Sequence, residues 1–184
     1  MITVFQSVRS SGATSVALNL ALLHKMQHPE HDVGLMQITN FPDLHLLWGN
    51  NPPLIQCFYS DPDLALDDFS NLTKTEYLYI DLHLSTQDEI QKEIFNQADH
   101  HFLVQTPDPS SEEVTTLYKK RFPKAHIILN QGPKKSLSSE GFWSLPWDEK
   151  AFTTHVYGGP PAVLQKRSSW KKALEPLLHH LIND

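Results

Sequence analysis

The first 23 residues of the chain place an apolar run, a turn of small residues and a helical pattern one after another. Residues 2–8 are mostly apolar and rich in β-branched side chains, and residues 9–15 are mostly small and polar. From residue 16 onward, apolar side chains recur at helical spacing. This order predicts a strand, a tight loop and a helix. Because a helix after a strand usually returns the chain to a parallel neighbour, the segment favours an α/β fold.

The same alternation continues to the end of the chain. Further strands are predicted at residues 31–38, 77–82, 101–105, 126–130 and 141–145. Helices are predicted at residues 14–27, 43–48, 87–98, 110–122, 149–157 and 170–182, whereas residues 53–72 show no clear pattern. Asp43 is the expected N-cap of the second helix, and Ser110 with Glu113 the expected capping box of the fourth. We therefore expect residues 1–184 to form one α/β domain, with a mostly parallel sheet of about six or seven strands and helices on both faces.

Charge and cysteine content narrow the classes of function. The chain has 184 residues, a formal net charge of −6 and a single cysteine, Cys57. An internal disulfide is impossible, and the sequence shows neither a secretory signal nor a membrane-spanning run, so we expect a cytoplasmic protein. The lysines and arginines are spread thinly, which argues against nucleic acid as a partner. The eleven histidines are not expected to form a zinc site.

The predicted last helix, residues 170–182, carries an apolar stripe. Two interpretations fit this stripe: it packs against the sheet, or it rests on a membrane surface. The opposite face is not strongly cationic, and Pro176 lies inside the helix. Membrane contact is therefore expected to be peripheral at most.

The loop at residues 8–15 is placed to bind phosphate. Backbone amides at the start of a helix attract anions, and Gly12 lets the backbone approach a ligand closely. Thr14 and Ser15 place hydroxyls at the predicted start of the helix, and Asp81 places a carboxylate at the end of a predicted strand. The structural alternatives are that Thr14 and Ser15 only start the helix and that Asp81 only caps a loop.

Several stretches in sequence order resemble motifs of the ParA/MinD family of deviant-Walker P-loop ATPases. The stretches are residues 8–15, 17–21, 79–82, 98–107, 128–130, 145–148 and 156–160. They resemble the family's K-G-G-x-G-K-T-T loop, its A-x-N-L-A helix, its Walker B strand, and its A-D-x-x-x-L-V-x-x-P, V-x-N, I-P-x-D and N-x-G-x-P segments. The TadZ/CpaE pilus-assembly branch is the most similar, because its R-G-G-x-G-A-T-T form matches Arg9, Gly12, Ala13 and Thr14 if the loop is one residue shorter.

The resemblance implies a P-loop NTPase-like fold of three layers that binds ATP or ADP with Mg²⁺. It implies a nucleotide site formed by Arg9, Ser10, Ser11, Gly12, Ala13, Thr14, Ser15, Asn130 and Pro146. Magnesium would be held by Thr14 and Asp81. The family also works through protein partners and dimerises across the nucleotide, so a homodimer is expected. In the alternative without a nucleotide, Arg9 is a surface residue and Asn130 a turn residue.

Three departures from the family motifs bear on catalysis. Ala13 stands where the family has its phosphate-binding lysine, and Ser10 and Ser11 replace glycines. The family's D-x-D acids have no counterpart in residues 37–39, which are Gln-Ile-Thr. Phosphoryl transfer depends on positioning and on stabilising charge, so these losses predict very weak ATPase activity or none. No residue is assigned as catalytic.

Three functions remain open from the sequence. The first is a degenerate nucleotide switch, or pseudo-ATPase, that acts as a positioning or assembly factor through protein partners in a secretion, pilus or polysaccharide-export machine. The second is an active ATPase that cycles between a monomer and an ATP-bound dimer. The third is a structural interaction module that keeps the fold and binds no nucleotide.

Overall fold

Strands and helices alternate in the computed structural model, which describes residues 1–8, 11–40, 44, 54–72, 74–83, 88–132, 141–149, 151 and 160–183. The strands are β1 (Ile2–Ser7), β2 (Val33–Ile38), β3 (Gln56–Ser60), β4 (Tyr77–Leu82), β5 (His100–Gln105), β6 (His126–Gly132) and β7 (Phe142–Pro146). The helices are α1 (Ala13–Gln27), α2 (Ala65–Leu72), α3 (Asp88–Gln97), α4 (Pro109–Arg121) and α5 (Ser169–Asn183). Short 3₁₀ helices lie at Pro62–Leu64 and Ala162–Leu164.

The strands form one sheet in the order β3-β2-β4-β1-β5-β6-β7, and every neighbouring pair is parallel. β1 therefore lies near the centre, between β4 and β5. Because all strands run in one direction, their carboxyl ends share one edge of the sheet. The predicted α/β fold with a mostly parallel sheet of about six or seven strands is confirmed.

Side chains of the central strands alternate between two cores, one on each face of the sheet. Phe5 and Phe102 stack with ring centroids 5.3 Å apart, on the face that α1 and α5 cover. Their chain neighbours Val4 and Leu103 belong to the opposite face, where α2, α3 and α4 pack. Helix α1 is buried along most of its length, which explains why its apolar residues are not confined to one stripe.

The predicted elements agree with the structure to within a few residues, with one region added. Residues 53–72, which show no clear pattern in the sequence, contain β3 and α2. Apart from Leu44, the predicted helix at 43–48 and its Asp43 cap lie outside the described residues. Most of the predicted helix at 149–157 lies outside them as well.

The predicted capping box of the fourth helix is wrong. Helix α4 begins at Pro109, and the N-cap is Asp108, whose carboxylate accepts a hydrogen bond from the backbone N–H of Ser111 at 2.9 Å. Hydroxyl hydrogen bonds from Ser110 and Thr106, together with that N–H, hold the pKa of Asp108 well below its usual range. An Asp-Pro pair is a stronger helix start than Ser110 because proline suits the first helical position.

The apolar stripe of the last helix packs inside the protein. Trp170, Leu174, Leu177, Leu178 and Leu181 of α5 are buried in the core shared with α1 and β7. This confirms the packing interpretation of the stripe. Among the described residues, helices long and apolar enough to pass through a bilayer are absent.

Candidate functional site

The loop between β1 and α1 lies at the carboxyl edge of the sheet, and the hydroxyls of Ser7 and Ser11 join its two ends. The hydroxyl of Ser11 lies 3.1 Å from that of Ser7 and accepts a hydrogen bond from the backbone N–H of Val8 at 3.2 Å. The same N–H donates to the carbonyl of Val104, on β5, at 3.0 Å. The loop therefore occupies the edge at which open parallel sheets bind their ligands.

Gly12 and Asn130 hold the end of this loop against β6. Gly12 begins α1 with a left-handed φ of 81°, and its carbonyl accepts a hydrogen bond from Val16 at 3.1 Å. The side-chain amide of Asn130 donates to the carbonyl of Ser11 at 2.7 Å. Asn130, which the resemblance assigns to the nucleotide site, therefore ties the loop to β6.

Ala13, at the position of the family's lysine, is completely buried among the apolar residues of the core. We predict that Ala13→Lys lowers the free energy of unfolding by about 1–3 kcal/mol, because a longer side chain overfills this space unless the loop opens. Urea denaturation of the variant and the wild type measures the difference. Equal stability would contradict the prediction and would mean that position 13 opens readily to solvent.

Asp81 is a fully buried carboxylate at the carboxyl edge, on the strand next to β1. The amide of Gln37, in register with Asp81 on β2, donates to Asp81 Oδ2 at 2.9 Å. The oxygen of the same amide accepts a hydrogen bond from Leu44 N–H at 3.1 Å. The neutral amide of Gln37 therefore faces the carboxylate of Asp81. Gln37 lies in the stretch where the resemblance places the family's D-x-D acids.

His83 lies between Thr14 and Asp81. Its Nε2 atom is hydrogen-bonded to Thr14 Oγ1 at 3.1 Å and lies 3.2 Å from Asp81 Oδ1. The backbone of His83 is fixed, since its N–H donates to the carbonyl of Ile38 at 3.0 Å. Thr14 is almost fully buried, whereas the His83 side chain is 31% exposed. One imidazole nitrogen thus faces both groups that the sequence assigns to magnesium.

These three side chains do not form a nucleophile–base–acid triad. In such a triad one imidazole nitrogen takes the proton of the hydroxyl, and the other nitrogen is held by the carboxylate. In this protein Nε2 of His83 faces both Thr14 and Asp81. The geometry therefore does not activate the Thr14 hydroxyl as a nucleophile, and we assign no catalytic residue.

Magnesium does not fit between Thr14 and Asp81 while His83 keeps this position. Mg²⁺ demands oxygen ligands at about 2.0–2.1 Å in octahedral geometry and retains several waters. Asp81 Oδ1 accepts no hydrogen bond of good geometry within the described part of the chain, and the His83 imidazole nitrogen faces it at 3.2 Å. The imidazole nitrogen stands in the space that such a cation would need. The magnesium role of Thr14 and Asp81 stays a prediction.

The remaining predicted site residues are placed as follows. Ser15 is buried at the start of α1, and Pro146 ends β7 with its carbonyl accepting a hydrogen bond from the indole of Trp170 at 3.1 Å. Arg9 and Ser10 lie outside the described residues. The residues that sequence reasoning missed are Gln37 and His83. Their signal is weak: Gln37 stands in the stretch without acids, and His83 follows Asp81 by two positions.

Comparisons with known proteins identify solved structures with a similar fold. No family profile and no curated protein matches the chain. Among solved structures, a ParA family ATPase from Chlorobium tepidum has a TM-score of 0.78 at 17% identity, covering 98% of this chain and 98% of its own. MinD of Pyrococcus horikoshii, complexed with Mg-ADP, has a TM-score of 0.72 at 14% identity, with coverages of 100% and 97%.

A third similar structure is the complex of MinC and MinD from Aquifex aeolicus. It has a TM-score of 0.69 at 13% identity, and covers 100% of this chain and 96% of its own. The three similarities extend over nearly the whole of each chain. They establish that this chain has the fold of the ParA and MinD ATPases.

Proposed function

We propose that this chain is a degenerate ParA/MinD-like nucleotide switch that works as a positioning or assembly factor through protein partners. The observation that supports the proposal is the set of side chains at the carboxyl edge of the sheet. The hydroxyl of Thr14 and the carboxylate of Asp81 lie near each other at this edge, but Ala13 supplies no charge and His83 stands between the two oxygens. Such a site lacks groups that stabilise a transferring phosphoryl group, which supports a switch with little or no turnover.

The TadZ/CpaE branch is the relative that we favour within the family. Arg9 and Ala13 match the loop of that branch, in which alanine also replaces the lysine. The proposal therefore includes a role in a secretion, pilus or polysaccharide-export machine. The complex of MinC and MinD is a precedent for a protein of this fold acting through a protein partner. A homodimer across the nucleotide belongs to the same proposal.

One observation favours a structural module as a second candidate function. Asn130 and Ser11 make hydrogen bonds within the protein, and Ala13 is packed into the core, so the described part of the loop is held in place without a ligand. A chain of this kind would keep the fold only to present surfaces to partners.

Thermal unfolding with ADP or ATP separates these functions. A ligand that binds only the folded state raises stability by about 2.7 kcal/mol at a hundredfold excess over its Kd. We expect both nucleotides to raise the melting temperature, and we expect no release of phosphate from ATP above the buffer rate. The absence of a shift would favour the structural module. Phosphate release that Asp81→Asn abolishes would show an active ATPase instead.

The response to magnesium provides a sharper prediction. Because His83 stands in the cation's place, we expect the nucleotide-induced shift of the wild type to be the same in EDTA and in Mg²⁺. His83→Ala frees that space, so its shift should become larger in Mg²⁺ than in EDTA. His179→Ala, on the exposed side of α5, is the matched control and should behave like the wild type. A wild-type shift that requires Mg²⁺ would contradict the assigned role of His83.

A further inference from the structure

A second cluster of polar side chains lies at the opposite edge of the sheet, in the turn between α1 and β2. We define the histidine turn as residues 28–31, His-Pro-Glu-His. His28 Nδ1 lies 3.6 Å from Glu30 Oε1, and His31 Nε2 lies 3.7 Å from the same oxygen. The three residues can bring one ligand atom each to within 4.8 Å of one another. Tetrahedral ligands of a zinc ion lie about 3.3–3.5 Å apart, so only small movements separate this cluster from a coordination site.

The backbone of the histidine turn is fixed by hydrogen bonds. The N–H of His28 donates to the carbonyl of His24 at 2.8 Å, and the N–H of His31 donates to the carbonyl of His28 at 3.1 Å. The ammonium group of Lys25 donates to the carbonyls of Pro29 and His31, at 2.8 and 2.7 Å. The ligand-bearing residues are therefore positioned before any ion arrives, which lowers the entropic cost of binding.

A buried chain of hydrogen bonds lies behind His31. His31 Nδ1 pairs with His24 Nε2 at 2.8 Å, and His24 Nδ1 pairs with the hydroxyl of Tyr79 at 2.7 Å. His24 and Tyr79 are fully buried. When His31 Nδ1 donates to His24, the lone pair of its Nε2 is presented to the side of Glu30.

We propose that His28, Glu30 and His31 form a binding site for a divalent transition-metal cation of the zinc type. Two imidazoles and a carboxylate are a ligand set that suits zinc, and water would complete the tetrahedron. The hydrogen bonds from His31 through His24 to Tyr79 form the outer layer that orients the ligating His31.

One side chain must turn for the cation to bind. The rings of His28 and His31 are stacked within 8° of parallel, with centroids 4.8 Å apart, so their lone pairs do not yet converge. His31 is held on one side by His24 and on the other by the ring of Tyr77, whose centroid is 4.6 Å away. His28 is 35% exposed and is the residue that rotates.

Titration of untagged protein with zinc chloride, followed by calorimetry and by melting temperature, tests the proposal. We expect one saturable equivalent of zinc and a rise in melting temperature. His28→Ala and Glu30→Gln should each weaken binding at least about tenfold; both positions lie on the surface turn, so folding is not at risk. His180→Ala is the matched control, because His180 contacts His100 and His126 in a second histidine group. Binding that is unsaturable, or that only His180→Ala weakens, would overturn the proposal.

The outer layer has a test of its own. Tyr79→Phe keeps all three ligands but removes the group that pairs with His24, and should weaken zinc binding about tenfold. Cobalt supplies the spectroscopic readout: tetrahedral coordination gives visible absorption bands that His28→Ala should abolish. Unchanged affinity in Tyr79→Phe would overturn the orienting role of the buried chain. Cobalt bands that persist in His28→Ala would overturn the ligand assignment. Both results are independent of nucleotide binding at the other edge.

Discussion

Gly12→Ala is expected to lower the free energy of unfolding by about 2–5 kcal/mol. The left-handed φ of 81° at Gly12 costs a residue with a Cβ about 1–2 kcal/mol. A Cβ there would also lie 2.7 Å from Nδ2 of Asn130. Asn130 is buried and cannot move without breaking its hydrogen bond to the Ser11 carbonyl, which costs about 1–3 kcal/mol more.

Gly141→Ala is the matched control for this prediction. Gly141 also has a left-handed φ, 78°, but among the described residues its Cβ would meet only the ring of His126, at 3.2 Å. Urea denaturation of both variants separates the backbone strain, which they share, from the collision with Asn130. In Gly12→Ala/Asn130→Ala the two losses should be less than additive. A Gly12→Ala loss no greater than that of Gly141→Ala would contradict the tie between the loop and β6.

Acidification is expected to remove about 2–3 kcal/mol of stability through His24 between about pH 7.5 and pH 4.5. Burial lowers the pKa of His24 in the folded protein from 6.5 to about 3. The unfolded chain therefore takes up a proton at this residue below about pH 6.5, whereas the folded protein does not until about pH 3. The stabilisation is complete above the unfolded pKa and is lost as the pH falls.

Urea denaturation in EDTA across this pH range measures the effect. His24→Gln removes the titrating group, so its stability should fall less steeply with pH than that of the wild type, whatever its stability at neutral pH. His101 and His126, whose pKa values burial also lowers, titrate in both proteins and cancel in the difference. Parallel stability curves for the two proteins would contradict the assignment to His24.

The fold could be predicted from the sequence because its signals are local. Runs such as Tyr77–Leu82 are apolar on both faces, which is typical of buried parallel strands, and helical spacing separates them. The succession of β1, loop and α1 was likewise predicted from the sequence pattern alone. The error at Ser110 is also local: the Asp108-Pro109 signal was in the sequence and is the stronger helix start.

The contents of the site could not be predicted in the same way. Gln37 faces Asp81 only because β2 and β4 pair in that register, although 44 residues separate them. His83 follows the last residue of β4, and its contact with Thr14 spans 69 residues. Cross-strand register is not encoded in the periodicity of one strand. A single sequence therefore indicates where the site lies but not which side chains occupy it.

The histidine turn was not predicted as a site, and the reason is different. His24 and His28 are spaced four residues apart on a helix, and Glu30 and His31 follow directly, so the ligand types were visible in the sequence. The zinc site that we propose at this turn departs from the expectation that the histidines form no zinc site. The sequence alone does not show that the hydroxyl of Tyr79, on β4, pairs with His24. The buried partner distinguishes an oriented histidine from a merely exposed one.

Helix α1 joins the two edges of the sheet. Its first turn begins at Gly12 in the loop, and its last turn carries His24 and Lys25, which fix the histidine turn. Its 15 residues span about 22 Å, and the core encloses them along most of that distance. The helix is therefore a rigid element of fixed length. Because a closely packed interior transmits strain, a rearrangement of the loop that tilted α1 would also displace the histidine turn at its other end.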